Sequence, residues 1–173
     1  GHPILFSKDS KFLILPGAID NTIRIVNLQT YKVDYRIDGD NPISINNDGS
    51  LLAFTPRKSS GNAVQIMNFQ TKEIIRSIPG SSSGVSGIAF SPDNKYLAVA
   101  YEYAKVLKIW DIQTGENVYN YTTEPPGYGL IGASISPNQK YVLSSSGTYL
   151  FLFKFQPNTG IKSIEDDNIN IIY

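Results

Sequence analysis

Between Val85 and Tyr121 the chain alternates short apolar runs with turn signals. Ile88-Ala89-Phe90 precedes Ser91-Pro92-Asp93-Asn94, and Tyr96 to Ala100 precedes a polar break around Glu102. Val106 to Ile112 ends at Gln113-Thr114-Gly115-Glu116, and Val118 to Tyr121 closes the unit. Pro92 presets a turn φ, while Asp and Asn tolerate turn and left-handed backbone. Four β-branched and aromatic runs at this spacing predict four strands joined hairpin after hairpin, an antiparallel meander.

The unit recurs. The acid of its first turn appears at Asp9, Asp48 and Asp93, with Asn138 in the same place, in steps of 39, 45 and 45 residues. The threonine after its third strand appears at Thr30, Thr71, Thr114 and, more loosely, Thr159, in steps of 41, 43 and 45. Two independent markers give one period, near the roughly 40–45 residues of a four-stranded propeller blade.

On these residues the chain resembles the WD-repeat family. Phe90-Ser91-Pro92-Asp93-Asn94-Lys95-Tyr96-Leu97 is similar to that family's first hairpin, and Leu107-Lys108-Ile109-Trp110-Asp111 to its third strand, ending in the Trp-Asp pair. The resemblance covers nearly the whole chain as one good copy and three divergent ones. It implies an all-β fold, a β-propeller of four-stranded antiparallel blades near 3–39, 42–80, 85–123 and 130–165, with a tail at 166–173. Trp110, Asp111 and Asp20 take structural positions of the family pattern. The family's hydrogen-bonded tetrad of His, Ser or Thr, Asp and Trp is complete in no blade. Asp20 matches its aspartate, but its blade lacks the Trp, and Ala104 stands where the Trp blade would have that aspartate. The blades are therefore expected to be held by apolar packing, with Trp110 between two of them.

Propellers of this family usually close with seven or eight blades, so four leave three readings open. The chain is part of a larger propeller, it pairs with a second copy as a homodimer, or it closes alone. Gly1-His2 resembles the Gly-His that precedes a blade, but it lies too close to Ile4-Leu5-Phe6 and reads better as a cloning remnant. A glycine start fits a trimmed or processed chain.

Composition narrows the chemistry. Of 173 residues, 41% are hydrophobic and 17% charged, which indicates a globular chain with a sizeable core. Fifteen basic residues balance fifteen acidic ones, arguing against a general nucleic-acid or anionic-membrane binder. No apolar run approaches a membrane span and no signal peptide is visible, so a cytoplasmic location is expected. There is no cysteine and one histidine, His2. Thiolate metal sites, cysteine nucleophiles and a Ser-His-Asp arrangement in the body are excluded. No phosphate-binding glycine loop is present, because Gly80 to Gly87 lacks the following Lys-Ser/Thr. The chain is read as no enzyme, without cofactor or metal.

The connections are where function concentrates. Thr55 to Ala63 is a long insert with adjacent cations Arg57 and Lys58, which a solvated turn would also explain. Asp38-Gly39-Asp40-Asn41-Pro42 reads as a plain turn into the second blade, since a calcium loop needs further spaced oxygens and a late bidentate Glu. Pro79 to Gly84 has the composition of a flexible linker. Tyr101 and Tyr103 point the same way if their strand continues, as partner anchors or packed under a loop. Tyr128 lies in a Pro- and Gly-rich loop. Ile161 to Ile164 is a candidate fourth strand of the last blade, and the tail could add another.

The resemblance implies that the connections between strands two and three, and those between blades, ring one face. Arg57, Lys58, Tyr101, Tyr103 and Tyr128 would gather there with Asp40 nearby, suited to an acidic or aromatic peptide. The end carrying the Asp9, Asp48 and Asp93 turns is expected to be ordinary solvated hairpin, where changes at Lys8, Ser50 and Lys95 would matter little. The expected function is a non-catalytic scaffold binding a protein or peptide. The alternative is a propeller enzyme, or a small-ligand or metal binder, using the central channel.

Overall fold

The computed structural model describes residues 3–17, 20–57, 64–80, 84–122, 129–147, 149–155 and the backbone of 169–172. Among these there is no helix. The first blade is β1 (Leu5–Phe6), β2 (Phe12–Pro16), β3 (Thr22–Asn27) and the first half of β4 (Lys32–Ile45). The second is the rest of β4 with β5 (Leu51–Pro56), β6 (Val64–Asn68) and β7 (Ile74–Ile78). The third is β8 (Val85–Phe90), β9 (Tyr96–Tyr101), β10 (Val106–Asp111) and β11 (Asn117–Thr122). The fourth is β12 (Ile131–Ile135), β13 (Tyr141–Ser146), β14 (Tyr149–Lys154) and β15 (Ile169–Ile172). Every pairing is antiparallel between neighbours in sequence, the meander that the turn signals predict.

Two elements differ from expectation. The turn expected at Asp38 to Pro42 is extended, and β4 runs unbroken through it, so the first two blades form one seven-stranded sheet. Its carbonyls need no turn partner, because Thr55 Oγ1 donates to Asp40 O at 3.0 Å and Asn41 O at 2.7 Å. Gly39 lets Phe54 close over the crossing, since a Cβ there would lie 2.6 Å from the Phe54 ring. In the fourth blade the tail itself supplies the outer strand: Ile169–Ile172 pairs with β14. The candidate strand at Ile161 to Ile164 lies outside the described residues.

Both repeat markers have a structural cause. Asp9 Oδ1 accepts from the Ser7 hydroxyl at 2.7 Å and Lys11 N at 3.1 Å, and Asp93 does the same with Ser91 and Lys95. The next residue is left-handed in each copy: Ser10, Gly49, Asn94 and Gln139 have φ between 55° and 79°. In the later turn Asn27, Asn68 and Asp111 each accept from the amide of the marker threonine. Tyr31, Lys72 and Gly115 follow as its left-handed residues. These side chains satisfy turn amides that strands leave unpaired.

The core lies between blades. Trp110, 7% exposed, packs with Ala53, Ile66, Leu97 and Val99 between the second and third. Among the described residues its Nε1 makes no hydrogen bond of ordinary geometry, and only the Tyr101 hydroxyl offers it a weak contact. Tyr119, Tyr121, Phe151, Phe153 and Phe155 stack between the third and fourth. There the inner strands nearly touch, and a Cβ on Gly87 would sit 2.3 Å from the Gly132 carbonyl carbon. Interior strands are buried on both faces, β9 from Leu97 through Tyr101. Strand β13 instead alternates, with Val142 and Ser144 buried but Tyr141 and Leu143 exposed. Ile4 and Phe6 are each 62% exposed at the first blade's inner edge. The outer faces of the terminal blades thus carry open apolar surface.

Candidate functional site

At the end where strands two and three connect, the turn between β9 and β10 is fixed from both sides. Glu102 N donates to Gly84 O at 2.8 Å. Opposite, Gly129 lies so close to Glu102 that a Cβ would fall 1.5 Å from its carbonyl oxygen. The interblade crossings at Gly84 and Gly129 therefore clamp this turn, and Tyr103 stands at its tip, 76% exposed.

Tyr101 is not beside it. It is fully buried, and its hydroxyl donates to Pro79 O at 3.3 Å. Burial pushes its pKa up to about 12. The same-side expectation required the strand to continue, but β9 ends at Tyr101 and residues 102–105 turn. Lys108 Nζ lies 5.5 Å from the Tyr101 ring and 5.9 Å from that of Trp110, capping this inner pair. Arg57 is exposed at the same end of the neighbouring blade, and its amide approaches Asp38 O at 3.5 Å. Asp40 is half-buried beside it, its carboxylate accepting from Asn41 N at 2.7 Å. Lys58 and Tyr128 lie outside the described residues. Asp20 turns its own loop, accepting from Thr22 N at 3.2 Å and pairing with Arg24.

The last residues of β4, from Ile43 to Ile45, stand beside β8 and β12, and these inner stretches are uncharged, with Ser44, Ser86, Ala89 and Ser134 among them. Ser86 Oγ donates across to Leu130 O at 2.5 Å. No group of three or more His, Cys, Asp or Glu that could hold a metal occurs among the described residues. No described helix is long and apolar enough to cross a membrane.

The opposite end is not the uniform row of solvated hairpins that its turn acids suggest. A crevice of about 720 Å³ opens there between the first and second blades, walled by Phe12, Tyr35 and Phe69 and entered by Lys72. Each of these residues reads in sequence as a strand or turn position, and the signal lies only in comparing blades, as developed below.

A family model described as WD domain, G-beta repeat matches residues 72–111, which end on the Trp110-Asp111 pair. Over 148 residues the chain is 20% identical to autophagy-related protein 18 of Saccharomyces cerevisiae, covering 85% of this chain and 28% of that protein. It is 26% identical over 108 residues to WD repeat-containing protein 75 of Danio rerio, covering 62% and 12%. It is 26% identical over 111 residues to WD repeat domain phosphoinositide-interacting protein 2 of Mus musculus, covering 60% and 25%. The chain thus spans little more than a quarter of the length of these relatives, or less. The family match thus places one WD repeat at residues 72–111, and the fold and both repeat markers carry the likeness to WD-repeat proteins over the other blades of this partial β-propeller.

Proposed function

We propose that this chain is a non-catalytic interaction scaffold that binds a protein or peptide on the end carrying Tyr103, Arg57 and Asp40, with Lys58 and Tyr128 as further contacts. The observation that carries this reading is the clamped turn. With Glu102 held between Gly84 and Gly129, the adjoining Tyr103 is exposed on a backbone already fixed, which lowers the main-chain entropy lost on binding, the character of an interface anchor. The uncharged inner stretches also favour a scaffold over chemistry in the channel. The open faces of the terminal blades take further blades, from this chain or from a second copy, and mass measurement in solution tests that part.

Peptides selected from a display library on the wild type should bind Arg57→Glu/Lys58→Glu/Tyr103→Ala at least tenfold more weakly, with the melt within a few degrees. The control Lys95→Glu on the opposite end should retain binding. Selected peptides that hold the triple variant equally well would overturn the reading.

A second reading has one specific support, the likeness to WD repeat domain phosphoinositide-interacting protein 2 of Mus musculus. It predicts retention on vesicles containing phosphatidylinositol phosphates, but not on phosphatidylcholine alone, with loss on reversing Arg57 and Lys58.

A further inference from the structure

We propose that the crevice between the first and second blades is a separate binding site, for an acidic peptide that inserts an aromatic side chain. Three structurally equivalent positions recur at every blade junction. The first opens strand two: Phe12, Leu51, Tyr96 and Tyr141 each donate their amide to a turn side chain five residues back. The second follows strand three: Leu28, Phe69, Ile112 and Phe155 each donate their amide back to the start of strand two. The third lies on the outer strand: Tyr35, Arg76 and Tyr119 pair with Ile25, Ile66 and Ile109.

At the third junction these positions close on one another. Phe155 makes edge contacts with Tyr96 at 5.4 Å and Tyr119 at 5.5 Å, and Tyr119 is 2% exposed. At the second junction Arg76 fills the space, its Nε donating to Ile112 O at 3.1 Å and its Nη2 to Gln113 O. Gly115 makes room, because the guanidinium lies 3.2 Å from where its Cβ would be.

The first junction is open. Phe12 and Phe69 meet edge-on at 6.1 Å, but Tyr35 is 39% exposed and does not close over them. Lys72 stands where the next blade has Gly115 and lies between the rings, its Nζ 4.1 Å from the Phe69 centroid and 5.7 Å from that of Tyr35. The neighbouring turns touch where Gly49 packs on Lys8, but no side-chain hydrogen bond among the described residues ties them. Asn94 and Gln139 reach back to the turn acid of the blade before, but the equivalent residue of the second blade is Gly49, which has no side chain to reach Asp9.

The vacancy matches an aromatic ring, as Tyr119 fills the corresponding place against Phe155. The charges select what accompanies it. Asp9, Asp34 and Asp48 on the rim already accept from Ser7 and Lys11, from Asn27, and from Ser50 and Asn94. The Lys8 ammonium has no ion-pair or hydrogen-bond partner among the described residues, while Lys72 commits one donor to Phe69 O and is only partly balanced by Asp34. Spare donors are therefore cationic, and a desolvated ammonium between aromatic faces gains most from a single carboxylate. A multiply charged phosphate cluster would meet three carboxylates on the same rim, so the site favours a peptide over an inositol phosphate.

The test uses a fluorescein-labelled peptide of the pattern Gly-Ser-Phe-Glu-Ser-Gly, with one carboxylate beside the ring, and follows anisotropy. Wild type should bind it at least tenfold more tightly than versions with Gln for Glu or Ala for Phe. Lys72→Gln should weaken binding about tenfold. Lys8→Glu, an exposed change that leaves the core untouched, should do the same at an unchanged melt. Lys95→Gln, and separately Arg57→Glu/Tyr103→Ala, should bind as wild type, which keeps this site distinguishable from the scaffold face. Equal binding of the Gln peptide, indifference to Lys8→Glu, or displacement of the peptide by micromolar inositol trisphosphate would overturn the proposal.

Discussion

Asn94 Nδ2 donates to Asp48 Oδ2 across 2.7 Å, tying the first turn of the third blade to that of the second. Asn47 N returns a bond to Asn94 Oδ1 at 3.0 Å, so the tie is reciprocal. Asn94 can reach only because its φ is 63°, a conformation asparagine tolerates better than most residues. Asn94→Gly should lose about 1 kcal/mol, the two hydrogen bonds alone. Asn94→Ala should lose more, because alanine adds left-handed strain. Urea denaturation of both variants checks the order, and equal losses would mean that the backbone conformation contributes nothing.

Trp110 has a buried ring and an Nε1 without a hydrogen bond of ordinary geometry. Trp110→Ala should cost about 3–5 kcal/mol through the cavity it leaves. Trp110→Phe gives up only a weak contact with the Tyr101 hydroxyl and removes a buried donor, so its loss should stay under about 2 kcal/mol. A phenylalanine variant as damaged as alanine would point to a stronger acceptor for the indole.

Gly87 faces backbone rather than a movable side chain, with Gly132 within 2.4 Å of where its Cβ would lie. Gly87→Ala should therefore separate the third and fourth blades and cost about 3 kcal/mol or more. Gly132→Ala should act differently: its added Cβ meets nothing within 4 Å, and the cost is the strain of φ 74°. Comparing the two melts, with tyrosine fluorescence from Tyr119 and Tyr121, separates packing from strain.

Asp9 and Asp48 are both held below the ordinary carboxylate value of 3.8, Asp9 first by the Ser7 hydroxyl and Asp48 first by that of Ser50. A depressed folded pKa means that the unfolded chain takes up protons first on acidification. The stability these groups contribute is complete above the unfolded value and is lost as pH falls through the folded one. The melting temperature should be level from pH 8 to about 5 and drop below about 4. Asp48→Asn should melt lower on the plateau and fall less steeply in acid.

The repeat was legible because its turns are built from side chains that bond their own backbone. Asp9, Asp48 and Asp93 mark one turn, and Asn27, Asn68 and Asp111 the other, so chemistry and period coincide in sequence. What stayed hidden depends on contacts between blades. Thr55, which keeps β4 extended through Asp40 and Asn41, lies 15 and 14 residues away from them. Tyr101 looked like the twin of Tyr103 until the strand end separated them. The crevice was invisible because Tyr35, Lys72 and Gly49 are each ordinary where they stand. Only beside Tyr119, Gly115 and Asn94 do they show a junction that fails to close.

The unbroken β4 also bears on how the molecule comes apart. Its first half, to Asp38, pairs with β3, and its second half, from Gly39, pairs with β5, so one continuous strand belongs to both blades. An opening that starts in either blade must strip a strand the other depends on, so the pair behaves as one cooperative unit. The second and third blades share no such strand. Amide exchange under native conditions should therefore show the first seven strands releasing their protons together, apart from the last eight.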